Sequence, residues 1–232
     1  MPESAPKPEL LRSLGRLVRG LSALFWGLPF SLVVCIQTAR TDTLHSLGAF
    51  PPLIVTTWLY VGLWQLGAFH PQERVWQWAL DRCKFLALIN LGLSPFIYWW
   101  NQMPDQPFFS TVVTILAFSG LLFLDHLNVV LARLTAMLPD EALRLETNHF
   151  TQLNRYLVLL ILLASLLLAV LNRHPAWLPA FLELPFLRAE GSHWLLVFLV
   201  LLPLAMTMAL IWKIKEMILE SVFGGPPNPV HG

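Results

Sequence analysis

The stretch FSGLLFLDHLNVVLARL, residues 118–134, begins as hydrocarbon and takes in an aspartate, a histidine, an asparagine and an arginine over its second half. Read backwards from Asp125, a largely apolar run reaches Phe108, 17 residues away. At 1.5 Å per residue that is about 26 Å, against roughly 30 Å for the hydrocarbon core of a bilayer. Read forwards, Leu127, Val130, Leu131, Leu134 and Leu138 recur at helical spacing until the sequence LPDE at 138–141. The stretch therefore predicts a helix that crosses a membrane, leaves it near Asp125 and continues as an amphipathic helix.

Composition agrees with that reading. Of the 232 residues, 56% are hydrophobic and only 12% charged, and the mean hydropathy is +0.62. Soluble domains carry about 25% charged residues, and a core of this size cannot hide so much apolar surface. The expected fold is all-α, a polytopic helical membrane protein with six transmembrane helices in three successive hairpins. The six segments are 21–39, 49–69, 85–100, 108–124, 156–171 and 194–212. Lys84, Arg155 and Lys213 stand where their charges can snorkel, and Tyr98, Trp99, Trp100, Trp177, Trp194 and Trp212 suit the interfacial belts.

Lysine and arginine set the orientation. Lys7, Arg12, Arg16, Arg19, Arg74, Arg82, Lys84, Arg133, Arg144, Arg155, Lys213 and Lys215 fall on one side, and only Arg40, Arg173 and Arg188 on the other. Twelve against three predicts a cell inner membrane protein with both termini cytoplasmic. The basic residues before 21–39 look like the start of a signal peptide, but no A-x-A-like site follows, so the first span is expected to be retained. A net charge of +1 argues against a nucleic-acid partner. No CxxC or HExxH spacing occurs, and Cys35 and Cys83 fall at opposite ends of spans, so no metal, cofactor or internal disulfide is expected.

Each hairpin has a basic lead-in. The first, ELLRSLGRLVRGL at 9–21, sets Leu10, Leu11, Leu14, Leu17, Val18 and Leu21 on one face and Arg12, Arg16 and Arg19 opposite, as in a helix lying in the headgroup plane. The expected organisation is a cytoplasmic amphipathic helix (1–20) followed by hairpin 1 (21–69). A lead-in, hairpin 2 and a helical extension (70–138) come next, then hairpin 3 (139–223) with a long outer loop (172–193), and a disordered tail (224–232). That apolar, proline-broken loop reads as an interfacial or re-entrant element, or as a docking face for another subunit. Aligning Arg16 with Arg82 brings Pro29 onto Pro95, and the second arms match more loosely, Thr56, Gly62 and Leu66 with Thr114, Gly120 and Leu124, the pattern of a parallel internal repeat.

The candidate site residues are polar groups on these spans. Asp125, with His126 beside it, lies at the cytoplasmic edge, where Arg82, Lys84 or Arg155 could pair with it. Gln65 and Asn90 lie in the inner third and could complete one polar layer. Ionisable residues within spans are functional candidates, but an interfacial ion pair and interhelical amide bonds explain the same residues as glue. Pro29, Pro95 and Pro203 are expected kinks; kinked helices in matching places can mark a transport site, yet no charge lies at the midplane here. The segment GLSP at 92–95 resembles the glycine-x-serine of rhomboid proteases only in its first three residues, and no histidine lies at the depth of Ser94 to serve as its base.

These residues lead to the expectation of a non-catalytic scaffold or accessory subunit of a membrane assembly. Its partners would be membrane lipids and other membrane subunits or further copies of itself. The alternative is a small-solute or ion carrier using the polar layer around Asp125, Gln65 and Asn90.

Overall fold

The computed structural model describes residues 8–40, 47–69, 73–137, 141–173 and 189–223. Its elements are α-helices: α1 (Pro8–Arg40), α2 (Phe50–Leu66), α3 (Arg74–Leu93), α4 (Phe96–Gln102), α5 (Pro107–Ala136), α6 (Glu141–Arg173) and α7 (Ala189–Phe223). The all-α expectation holds. Residues 1–7, most of the outer loop and the tail from 224 lie outside the described residues, and so does Leu138.

Prolines mark several of the boundaries. α2 and α5 both begin with proline in their first two positions, where a missing N–H costs nothing. α3 and α4 form one rod broken at Pro95, because proline cannot supply the bond that would carry α3 past Ser94. Pro29 and Pro203 sit inside α1 and α7 without ending either helix.

Two helices among the described residues, Arg12–Arg40 and Pro107–Ala136, are long and apolar enough to cross a membrane. The expected second span falls short because α2 has 17 residues, and the third is divided at Pro95. The expected fifth and sixth spans belong to α6 and α7, 33 and 35 residues long, and run into residues 166–199, whose side chains lie outside the description. The separate lead-in helix expected before the first span is not separate. α1 continues from Pro8 to Arg40, and Leu17 and Leu21 are fully buried in the core with Leu63 and Leu66.

The tightest seam joins α1 to α2. A Cβ placed on Gly20 would meet the backbone carbonyl of Gly62 at 2.8 Å and would also strike Leu66. On Gly62 it would come within 3.2–3.3 Å of Leu24 and Ala23. Small residues allow this approach, as in close-packed membrane helix pairs. The turn into α3 is then tied by side chains that bond the free carbonyls at the end of α2. Trp76 Nε1 donates to the Phe69 carbonyl at 3.1 Å and Gln77 Nε2 to that of Gly67 at 3.3 Å, and Lys84 Nζ lies close by Gly67.

Packing runs in a ring: α1 on α2, α2 on α3, α3 on α5, α5 on α6, α6 on α7, and α7 back on α1, with α4 bridging α1 and α5. Cross-links fix which ends lie together. Gly20 meets Gly62, Lys84 meets Gly67, Arg155 pairs with Asp125, Lys213 pairs with Glu146, and Phe25 stacks near Trp212 at 5.6 Å. The starts of α1, α3 and α6 and the ends of α2, α5 and α7 therefore share one end of the bundle, and that end carries most of the basic residues, Arg40 and Arg173 standing at the other. The basic end is solidly packed by Leu17, Leu21, Leu66, Trp76, Leu80, Leu131, Leu134 and Ile214. Among the described residues, the opposite end is hollow.

Candidate functional site

The hollow is a cavity of about 520 Å³ whose walls come from α1, α2, α5, α6, α7 and the α3–α4 rod. Leu28, Phe123, Leu124 and Leu204 line its deep end, and Ala39, Thr56, Ile97 and Val113 line it toward the far end of the bundle. One helical turn below Leu124 and Leu204, Asn128 donates through Nδ2 to Thr207 Oγ1 at 2.9 Å and to the Leu124 carbonyl at 2.8 Å. Thr207 donates in turn to the carbonyl of Pro203 at 2.8 Å. Asn128 and Thr207 are buried, and this chain of bonds floors the cavity by locking α5 to α7. A buried amide left without partners would cost about 1–3 kcal/mol, so Thr207 is what makes Asn128 tolerable there.

The cavity's polar wall groups are also engaged with one another. Thr56 and Ser94 hydroxyls lie 3.2 Å apart, joining α2 to the break before α4, and Ser94 donates to the Leu91 carbonyl at 3.0 Å. Ser31 donates to the Leu28 carbonyl at 2.8 Å. Asn90 accepts a hydrogen bond from Ser119 through Oδ1, joining α3 to α5. The remaining surface of the cavity is overwhelmingly hydrocarbon.

The expected site residues are divided among different seams. Asp125 Oδ1 accepts from Arg155 Nε at 3.5 Å across α5 and α6, so of the three partners anticipated for it the structure supplies Arg155. Lys84 instead pairs with Asp81 at 3.3 Å, and Arg82 lies over the Trp78 ring at 3.4 Å. His126 Nδ1 bonds the Leu122 carbonyl at 3.0 Å and shares a small surface cleft with Arg82. Gln65 is half-buried against Gly20 at the α1–α2 seam, while Asn90 belongs to the α3–α5 seam. Gln65, Asn90 and Asp125 thus lie at three separate seams.

The proline match survives only in position, since Pro29 leaves α1 continuous and Pro95 breaks its rod. The aligned pairs on the second arms differ too. Thr56 is buried and Thr114 exposed; Gly62 is tightly packed, whereas a Cβ on Gly120 would meet nothing within 4 Å.

Sequence reasoning named Thr56 and Ser94 for other reasons and missed Ser119 and Thr207, and it foresaw the cross-helix pairing of none of the four, because a lone hydroxyl in an apolar helix can always bond its own backbone and so gives no signal of such a role. It also missed a polar stripe on α6. Thr147 Oγ1, Thr151 Oγ1 and both amide atoms of Asn154 are buried with no hydrogen-bond partner among the described residues. Their spacing of four and three residues puts them on one helical face, a pattern that was legible. Among the described residues no cluster of metal-ligating side chains occurs. No known protein family matches this chain, and neither a curated protein nor a solved structure matches it.

Proposed function

We propose that the chain is an integral membrane protein of six spans in three hairpins, with both termini cytoplasmic, and that it serves without catalysis as a scaffold or accessory subunit of a membrane assembly. The observation that carries this reading is the use made of its polar residues. Asp125, Asn90, Asn128, Thr56 and Glu146 are each engaged with one residue of a neighbouring helix, as fasteners of the bundle, and they do not converge on a point where a substrate could react. Membrane residence is supported by the outward faces. Trp26, Phe30, Ile54, Trp64, Phe85, Phe108 and Leu163 are each at least half exposed, which water would penalise and lipid would not. Orientation is supported by the gathering of the basic residues at the packed end.

The carrier alternative draws no specific support, because its three polar residues lie at three seams. The test is purification from the native host in a gentle detergent through a tag at the C-terminus, followed by native mass determination. A foreign protein in fixed stoichiometry is the expected result. A bare monomer or homo-oligomer would overturn the subunit reading.

A further inference from the structure

The central cavity has a shape and chemistry that limit what can fill it. Leu28 and Ala39, on its wall, are eleven residues apart on α1, or about 16 Å at 1.5 Å per residue. One leaflet's share of a roughly 30 Å hydrocarbon core is about the same depth. Ile36 and Ala117 on the cavity's walls are exposed, so the hollow is a cleft with access from outside the bundle. A buried water needs two to four polar partners, whereas Thr56 and Ser94 pair with each other, Asn90 Oδ1 takes the Ser119 hydroxyl, and the rest of the lining is almost entirely apolar. Helix packing also explains why the gap persists: α1 is held by α2, and α5 by α3, with α4 lodged between α1 and α5 as a spacer.

We propose that this cavity binds a single hydrocarbon chain of an amphiphile from the surrounding leaflet, lying along α1 between Leu28 and Ala39 with its polar head toward the open end. The inference rests on the membrane reading above but not on the subunit reading. The shared chemistry is a single alkyl chain, and its source is either a bilayer phospholipid or a free fatty acid.

Gly120 gives a direct test, since it lines the cavity and a Cβ added there meets nothing within 4 Å. Gly120→Leu should fill the hollow without disturbing the helices. Ala117→Leu is a second filling variant, and Gly92→Leu, at an exposed glycine outside the cavity with equal room, is the control. Each protein is reconstituted into phosphatidylcholine–phosphatidylglycerol vesicles carrying either a phospholipid or a free fatty acid with a photoreactive diazirine in its acyl chain. After irradiation, labelled peptides are mapped. In at least one arm, wild type and Gly92→Leu should be labelled at residues 28–39 and 113–124, and both filling variants should lose at least tenfold of that labelling. The arm that labels identifies the source, and labelling in both supports the shared chemistry. Label confined to outward side chains such as Trp64 and Phe85, or unchanged in the filled variants, would overturn the proposal. Flotation of the vesicles reads the membrane assignment separately: a protein that fails to float sinks that reading, whereas one that floats without cavity labelling sinks only this one.

Discussion

Asp125 and Asn128 stand three residues apart and have opposite surroundings. Asp125 reaches an Arg155 side chain that is 55% exposed, whereas Asn128 is buried among Leu124, Leu127 and Leu131 and finds Thr207. The charge drew attention in the sequence, but the amide holds the deeper bond. Its position on the leucine stripe was legible from spacing, while its partner, 79 residues away, was not. Replacing Asn128 with Leu and Thr207 with Val, singly and together, should give a coupling of about 0.6 kcal/mol, at most roughly 1.7, the range for hydrogen bonds between membrane helices. Unfolding in mixed detergent measures it, and additive effects would mean that the two side chains do not bond. Asp125→Asn should cost less than about 1 kcal/mol, since one partner is mostly exposed, and should leave assembly intact. A full loss of solute flux in that variant, with assembly unchanged, would instead revive the carrier alternative. Glycines make a sharper contrast. Gly20→Ala puts a methyl against the Gly62 carbonyl, so overpacking should cost about 1–3 kcal/mol, whereas Gly120→Ala should be neutral or stabilising. Equal effects at the two sites would contradict the close α1–α2 seam.

Helices were the most legible elements, because apolar runs bounded by proline and charge have few other readings. Their continuity was less so. Lead-in and span merge in α1, since no residue between Pro8 and Arg40 stops a helix whose apolar face stays packed on α2 past Gly20. Three prolines look equivalent in the sequence, yet only Pro95 ends a helix; in α7 the carbonyl of Pro203 is taken by the Thr207 hydroxyl. α6 presents a different feature. Thr147, Thr151 and Asn154 lie on one helical face with no partner among the described residues for their buried polar atoms, an arrangement that burdens the folded state at about 1–3 kcal/mol for each fully orphaned group. Asn154→Leu should therefore raise stability of the isolated chain by about 1 kcal/mol in detergent unfolding. A loss of stability instead would show that Asn154 has a partner in the folded protein, and α6 would become the first place to look for it.

At the scale of the molecule, the sequence conveyed composition and helix order, but not the asymmetry, among the described residues, between a packed basic end and a hollow opposite end. That asymmetry arises from which side chains face inward once six rods close into a ring, and inward faces are set by tertiary pairing rather than by local periodicity. The two cysteines report on it without any engineering. Both are free. Cys83 lies at the packed end, is fully buried, and its thiol is pushed up by desolvation, which outweighs the opposing pull of Lys84. Cys35 lies on the cavity wall. A membrane-permeant maleimide should therefore label Cys35 in preference to Cys83, which should stay unlabelled until the protein is unfolded, because the reagent reaches Cys35 through the cavity and has no path to Cys83. Topology sets the companion result. Short protease-cleavable tags on both termini should be removed together when protease is added to inverted inner-membrane vesicles, and both should survive in right-side-out spheroplasts. Removal of one tag in each preparation would require an odd number of spans and would break the pairing of the helices into three hairpins. Rapid labelling of Cys83 in the folded protein would instead leave the topology standing and deny the solid core at the basic end, so the two measurements separate the ring's orientation from its packing.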